Sequence, residues 1–214
     1  MRTTPLPHCL PAVGVVEEGE GTFGSATDEA LLLAYARGNT ASFEELYNRH
    51  ERAVYRFLLR SVRVPSVAEE MLQEVFLSVI RSAPHYEPRA RFTTWLYRIA
   101  RNRLVDHWRS REPASIESLD DIDGCDVRLI EHAVADVSTQ PEQIALDRSR
   151  AREFTKAVED LPAAQREAFL LHAEAGLTIE QISSVTGCPR ESIKSRLRYA
   201  CAKLRVRLSH WSKT

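Results

Sequence analysis

Residues 178–198 read TIEQISSVTGCPRESIKSRLR, and the way this stretch is punctuated decides the fold. Thr178 and Gln181 have the spacing of a capping box, in which the hydroxyl accepts an early helical amide and the glutamine reaches back to the cap. They predict a short helix over 179–185. Gly187 then supplies the permissive backbone of a tight turn, and Pro189 sits where a first helical residue is favoured. On the helix that begins there, Ile193, Leu197, Ala200, Leu204 and Leu208 fall on one side. Glu191, Ser195 and Arg198 fall opposite, with Lys194 and Arg190 beside them near the N-terminal end. One side packs and the other is left to read. A recognition helix is built this way: its first turns reach base edges in the major groove while flanking cations meet phosphates. A plain helical hairpin with a solvated basic face is the competing reading. It does not require charge of one sign, yet residues 189–214 hold eight Lys or Arg against Glu191 alone.

Moving toward the N-terminus, helices are expected over 163–175, after the Leu161–Pro162 start signal, and over 142–160. Before them, residues 113–147 carry nine carboxylates against Arg128. With Pro113, Gly124 and Pro141, this composition describes a solvated acidic linker over 112–141. It divides the chain into two small helical domains, 25–111 and 142–210. In the first, Thr27 opens a short helix that Gly38 can close, and a longer one over 41–62 ends before Val64–Pro65. Ser66 and Glu69 have capping-box spacing for a third helix, along which Ala68, Leu72, Val75, Phe76 and Val79 form an apolar stripe. Its outer face keeps Glu69, Glu70, Gln73 and Glu74. A loop over 85–90 leads into a fourth helix over 93–109. Residues 1–24, rich in Pro, Gly and Glu without periodicity, read as a disordered leader. No run of alternating β-branched residues occurs, so the expected fold is all-α.

The fourth helix is the second basic element, since residues 86–111 carry seven arginines against Glu87 and Asp106. At 100° per residue, Thr94, Arg98, Arg101, Asn102, Val105 and Arg109 share one arc, opposite Phe92, Trp95, Leu96, Ile99 and Ala100. Arg103 falls on the apolar side, as a snorkelling stem or a partner contact. Guanidinium groups and an amide beside Trp95, Tyr97 and Trp108 suit backbone phosphates and unpaired bases, although the aromatics, Trp95 above all, serve equally as core.

Other classes of function are disfavoured. The net charge of −1 hides this basic, acidic, basic order. The longest apolar stretch, 30–36, is far too short to span a bilayer, and residues 1–24 lack the pattern of a signal peptide, so a cytoplasmic protein without membrane insertion is expected. Cys9, Cys125, Cys188 and Cys201 are scattered without a C-x-x-C pair, which points to reduced thiols, with no disulfide framework and no metal site. His50–Glu51 begins like a zinc-protease motif, but Val54 stands where the second histidine would be, and no nucleophile–base set or phosphate loop appears. Neither an enzyme nor a cofactor is expected.

Together these segments resemble the extracytoplasmic-function class of bacterial sigma factors, compact proteins with two domains called regions 2 and 4. In the first domain the resemblance is carried by residues 43–47 (FEELY), 68–76 (AEEMLQEVF) and 94–102 (TWLYRIARN). In the second it is carried by Leu161–Pro162, residues 176–182 (GLTIEQI), and Gly187–Cys188–Pro189 through Ser195–Arg196–Leu197. It implies that Glu70, Gln73, Glu74 and Phe76 dock on the clamp helices of the polymerase β′ subunit, with the β flap as a second contact on core RNA polymerase. It implies that Asn102 holds a flipped base of the −10 element while Arg98, Arg101, Val105 and Arg109 follow the strand. Arg190, Glu191, Lys194, Ser195, Arg196 and Arg198 would lie on the −35 reading helix. Promoter DNA and an anti-sigma factor are the implied partners of a chain that is monomeric when free. Two departures touch base preference: residues 86–91 lack the frequent Phe-Arg-Gly-acidic sequence, and Asp106 replaces a common amide. A homodimeric helix-turn-helix repressor or activator is the rival, and it predicts binding to a palindrome without polymerase.

Overall fold

The structure, a computed structural model, describes residues 26–111 and 141–213. The expected leader and all but the last residue of the expected acidic linker lie outside the described residues. Among the described residues all regular structure is helical. The first group comprises α1 (Asp28–Ala36), α2 (Thr40–Val62), α3 (Pro65–Ser82) and α4 (Phe92–Arg111), with a 3-10 turn at Ala83–His85 before α4. The second comprises α5 (Pro141–Glu159), α6 (Ala163–Ala173), α7 (Ile179–Thr186) and α8 (Arg190–Arg207), closed by a 3-10 turn at Ser209–Lys213.

Local chemistry explains most boundaries. Thr27 caps α1 by accepting from the Ala30 amide, and Asn39 caps α2 by accepting from Ser42. Helix α2 stops at Arg63, whose φ of 62° is left-handed, because Val64 precedes Pro65 and cannot continue a helix. A non-glycine residue there costs about 1–2 kcal/mol, which surrounding contacts must offset. Helix α3 departs from expectation. Pro65 occupies its first turn with Val64 at the cap, and no side chain caps it, so the Ser66–Glu69 box does not form. Proline's preset φ starts the helix one residue before the serine could act as cap. Pro189, expected as the first helical residue, instead stands at the cap of α8, which begins at Arg190. Helix α4 is capped from a distance: the Phe92 amide donates to Glu29 Oε1 at 2.6 Å, across 63 residues.

The stripe expected on α3 buries Ala68, Val75, Phe76 and Val79, with Met71 in the deep position and Leu72 only partly covered. Phe57 of α2 meets Tyr97 of α4 edge-on, ring centroids 5.3 Å apart, a geometry worth about 0.5–1.5 kcal/mol beyond burial. In the second group, α8 is the spine on which α5, α6 and α7 pack. The two groups are not held apart. Helix α4 packs on α7, and α2 packs on both α5 and α6, so buried residues from Leu31 to Leu204 form one continuous core.

Candidate nucleic-acid interface

Two basic helices, α4 and α8, present the residues singled out by sequence, and their surroundings differ. On α4, Phe92, Leu96, Tyr97, Ala100 and Leu104 are buried while Arg98, Asn102, Asp106 and Arg109 are exposed. Arg101 and Val105 lie half-buried at the edge of that face.

Two expectations for this helix need correction. Thr94 is buried rather than part of the reading face, because the helix enters the core at that turn. Tyr97 is buried against Phe57 and is not available to stack on a base; burial pushes its phenol well above the usual range, and the nearby Glu174 charge adds to the shift. Trp95 is half-buried between Tyr86 and Phe92, ring centroids 5.0 and 5.8 Å away. Trp108, at 37% exposed, is the large aromatic that α4 keeps at the surface. Arg103 braces α4 against α3: its guanidinium donates to Ser78 Oγ at 3.0 Å and lies 3.8 Å from Glu74.

On the outer face of α3, Glu70, Gln73 and Glu74 are exposed. Phe76 is not part of that surface. It is 4% exposed, packed against Tyr47 at 4.6 Å and edge-on to Phe43 at 6.3 Å, because it belongs to the apolar stripe that faces α2. Sequence reasoning missed Leu77, which is 47% exposed one turn from Gln73 and Glu74. Its signal was available: a leucine that falls off the apolar stripe and among carboxylates. The foundation beneath α4 is an ion cluster in which Asp28 meets His50 Nε2 at 2.7 Å and Arg49 at 3.1 Å. The hydrogen bond to His50 holds the Asp28 carboxyl below its usual range, against the opposing effect of burial.

The stretch 178–198 folds as its punctuation demands. Thr178 Oγ1 accepts from the Gln181 amide at 3.3 Å, and Gln181 Oε1 accepts from the Thr178 amide at 2.8 Å, so the capping box forms. Gly187 ends α7 at φ +71°, a left-handed conformation that side chains resist. The Ser183 hydroxyl ties the turn by donating to the Cys188 carbonyl at 2.7 Å. Beyond it, α8 buries Ile193, Leu197, Ala200 and Leu204.

Arg190, Glu191 and Lys194 are exposed on its first turns, while Ser195, Arg196 and Arg198 are half-buried. Arg190 pairs with Glu180, whose carboxyl is held below its usual range by its own backbone amide, the Thr178 hydroxyl and this arginine. Arg196 turns back to the loop, Nη1 3.2 Å from Cys188 Sγ, and the Arg198 guanidinium lies over Tyr199 at 5.4 Å. Neither Cys188 nor Cys201 is disulfide-bonded. Among the described residues there is no cluster of three or more His, Cys, Asp or Glu able to hold a metal, and no helix long and apolar enough to cross a membrane.

Comparison with known proteins accounts for both halves. Sigma-70 region 2 matches residues 46–113, and Sigma-70, region 4 matches residues 151–204. The chain is 37% identical over 187 residues to the ECF RNA polymerase sigma factor RpoE of Cereibacter sphaeroides, covering 86% of this chain and 96% of that one. It is 30% identical over 206 residues to the ECF RNA polymerase sigma factor SigM of Mycobacterium tuberculosis, covering 96% and 91%. The fold is shared with the sigma factor RpoE of Bartonella quintana, solved with the anti-sigma factor NepR, at a TM-score of 0.56 and 22% identity over 78% of this chain and 96% of that one. With regions 2 and 4 matched in order on two helical groups, and with relatives that align over nearly their whole length, the chain belongs to the extracytoplasmic-function sigma factors of RNA polymerase.

Proposed function

We propose that this chain acts without catalysis of its own, in the cytoplasm, by carrying core RNA polymerase to a promoter and helping to open it. The unit over 25–111 binds the enzyme through the α3 face, where Glu70, Gln73 and Glu74 meet the β′ clamp helices and Phe76 supports them from beneath. The same unit engages the −10 element through α4. Asn102 reads a base edge, and Arg98, Arg101 and Arg109 follow the phosphates past Val105. Trp108 stacks on an unpaired base, a contact worth about 1–3 kcal/mol. The unit over 142–210 engages the −35 element through Arg190, Glu191, Lys194 and Ser195 on the first turns of α8, with Arg196 and Arg198 behind them, and touches the β flap.

Neither contact needs to be strong alone, because the polymerase fixes their separation and two modest contacts act as one bivalent grip. Holding extracted bases offsets part of an unstacking cost of a few kcal/mol, so melting needs no nucleotide hydrolysis. An acidic segment over 112–141 repels duplex and suits a basic channel of the enzyme. An anti-sigma factor that sequesters the free chain fits the same reading, since the Bartonella quintana relative was solved with one.

The observation that carries the proposal is the exposure, in one chain, of an Asn102–Arg98–Arg109 face on α4 and, on the glycine-turned α7–α8 unit, of Arg190, Glu191 and Lys194. Run-off transcription with core polymerase and a genomic fragment pool tests it. Stimulated, sequence-selective initiation is expected; footprinting by the protein alone, on a palindrome and with no effect on core polymerase, would favour the dimeric repressor.

A further inference from the structure

Helix α4 carries one carboxylate, Asp106, on a face that otherwise presents cations and an amide. At 100° per residue, Asp106 lies about 40° around the helix from Asn102 and one turn further along, on the side of Arg103 and α3. Arg98 and Arg109 lie about 40° and about 20° from Asn102 on the opposite side, with Val105 and Arg101 beyond them. Asp106, Asn102, Arg98 and Arg109 are all exposed. Donors stand within one turn of Asp106, yet none takes it up. Arg103 turns instead to Ser78 and Glu74, and the Ser110 hydroxyl donates to the His107 carbonyl. Among the described residues no hydrogen bond or ion pair ends on the Asp106 carboxylate. The outer face of α4 is thus sorted, with guanidinium groups on one flank, a carboxylate on the other and an amide between them.

A strand lying along this face has both phosphates and base edges to place. Cations hold phosphates and a carboxylate repels them, so the strand backbone belongs on the Arg98–Arg109 flank and the bases on the Asn102–Asp106 flank. We infer that Asp106 is a specificity-determining residue of this face: it admits an unpaired base that offers an exocyclic amine and rejects a thymine- or uracil-type base that offers none. The inference rests on the reading of α4 as the −10 helix and adds the class of base held there. An ionised carboxylate only accepts hydrogen bonds. Cytosine N4, adenine N6 and guanine N2 each present an amine for it to accept from. Thymine has no amine, and its ring N–H is flanked by two carbonyl oxygens that would meet the carboxylate acceptor to acceptor. An amide would not make this choice, because it donates as readily as it accepts. Asn102 supplies the complementary donor four residues away on the same face. An amine beside a bare ring nitrogen, as in cytosine, therefore meets an acceptor and a donor together.

The test measures strand binding by the full chain on core RNA polymerase, against core polymerase alone, with fluorescent oligodeoxycytidine and oligodeoxyuridine of equal length. The two bases differ only along the pairing edge. A homopolymer puts the same base at every register, so no promoter sequence is needed. The cytidine strand is expected to bind about tenfold tighter, within the range for one base contact. Asp106→Asn should bring the two strands to within about twofold of each other, chiefly by tightening the uridine strand, because the amide donates to its O4. Asp106→Ala should narrow the gap from the other side, by weakening the cytidine strand.

Two further variants separate base contact from charge. Arg98→Ala should weaken both strands equally and reduce the salt slope by about one, as loss of a phosphate contact does. Glu44→Gln removes the same charge as Asp106→Asn from an exposed position on α2 and should leave the preference for cytidine intact. Equal binding of the two strands by the unmodified chain overturns the role of Asp106, as does a preference that survives both Asp106 variants. If the chain adds no strand binding to that of core polymerase, the −10 reading of α4 falls as well, so the two failures are told apart.

Discussion

Helices α4 and α8 carry similar positive charge and spend it differently. Of the arginines in the middle of α4, Arg101 is held by Glu167 and Arg103 by Ser78 and Glu74. On α8, Lys194 stands exposed on a helix that follows a turn whose backbone is fixed by a glycine and a capping box. One surface is braced by partners far away in sequence, while on the other Arg190 pairs with Glu180 ten residues away and Lys194 stays exposed. Local counting of charge therefore overstates what either helix offers to a nucleic acid, through distant partners on α4 and through nearer ones on α8.

The comparison breaks most decisively at Asn102. Asn102→Ala should weaken open-complex formation by about 1–3 kcal/mol, the range for a lost base-edge contact, while core polymerase binding measured by gel shift is unchanged. Equal loss in both assays would make Asn102 a structural residue and remove the distinction. Next in size is Gly187→Ala, which forces a side chain into φ +71° and should cost about 1–2 kcal/mol in thermal unfolding. Because the turn sets the angle of α8, −35 binding should fall with it.

Arg103→Ala sharpens the contrast between a brace and a reader. It should lower stability by about 1 kcal/mol while leaving the salt dependence of DNA binding unaltered, since its partners lie on α3. Lys194→Ala should do the reverse: no measurable change in melting temperature, and a salt slope reduced by about one in duplex binding at constant sequence preference.

A smaller effect separates the domains by pH. The Asp28 carboxyl titrates lower when folded than when unfolded, so its stabilisation is present above the ordinary carboxylate range and is lost as pH falls through the folded value. Exchange of α1 amides should rise at acid pH before that of α8 amides. Asp28→Asn should abolish that order, at a cost of about 0.5–1 kcal/mol at neutral pH.

Much of this was legible in the residues. Periodicity alone placed the helices, because 3.6-residue spacing of apolar side chains is a local property that tertiary packing ratifies. The second domain was read most faithfully, since a capping box, a glycine and a proline act on backbone within a few residues of themselves. The first domain was read less well where a cue had a competitor. Pro65 displaced Ser66 as the start of α3, and the aromatic surface assigned to α4 shrank to Trp108 once Tyr97 was claimed by Phe57. Phe76 satisfied both a stripe and a presumed docking surface, and burial chose the stripe.

The sequence by itself determined an all-helical chain with two basic helices and a glycine-turned helix pair, because those depend on neighbours one to four residues away. Tertiary structure alone decided which cations remain open to a partner. Glu29 caps α4, Glu167 meets Arg101 and Glu174 meets Arg56 and Arg60, across separations of 63, 66, 118 and 114 residues. Charge acts through space at a few ångströms, and a linear pattern holds no record of which distant residues the fold will bring that close.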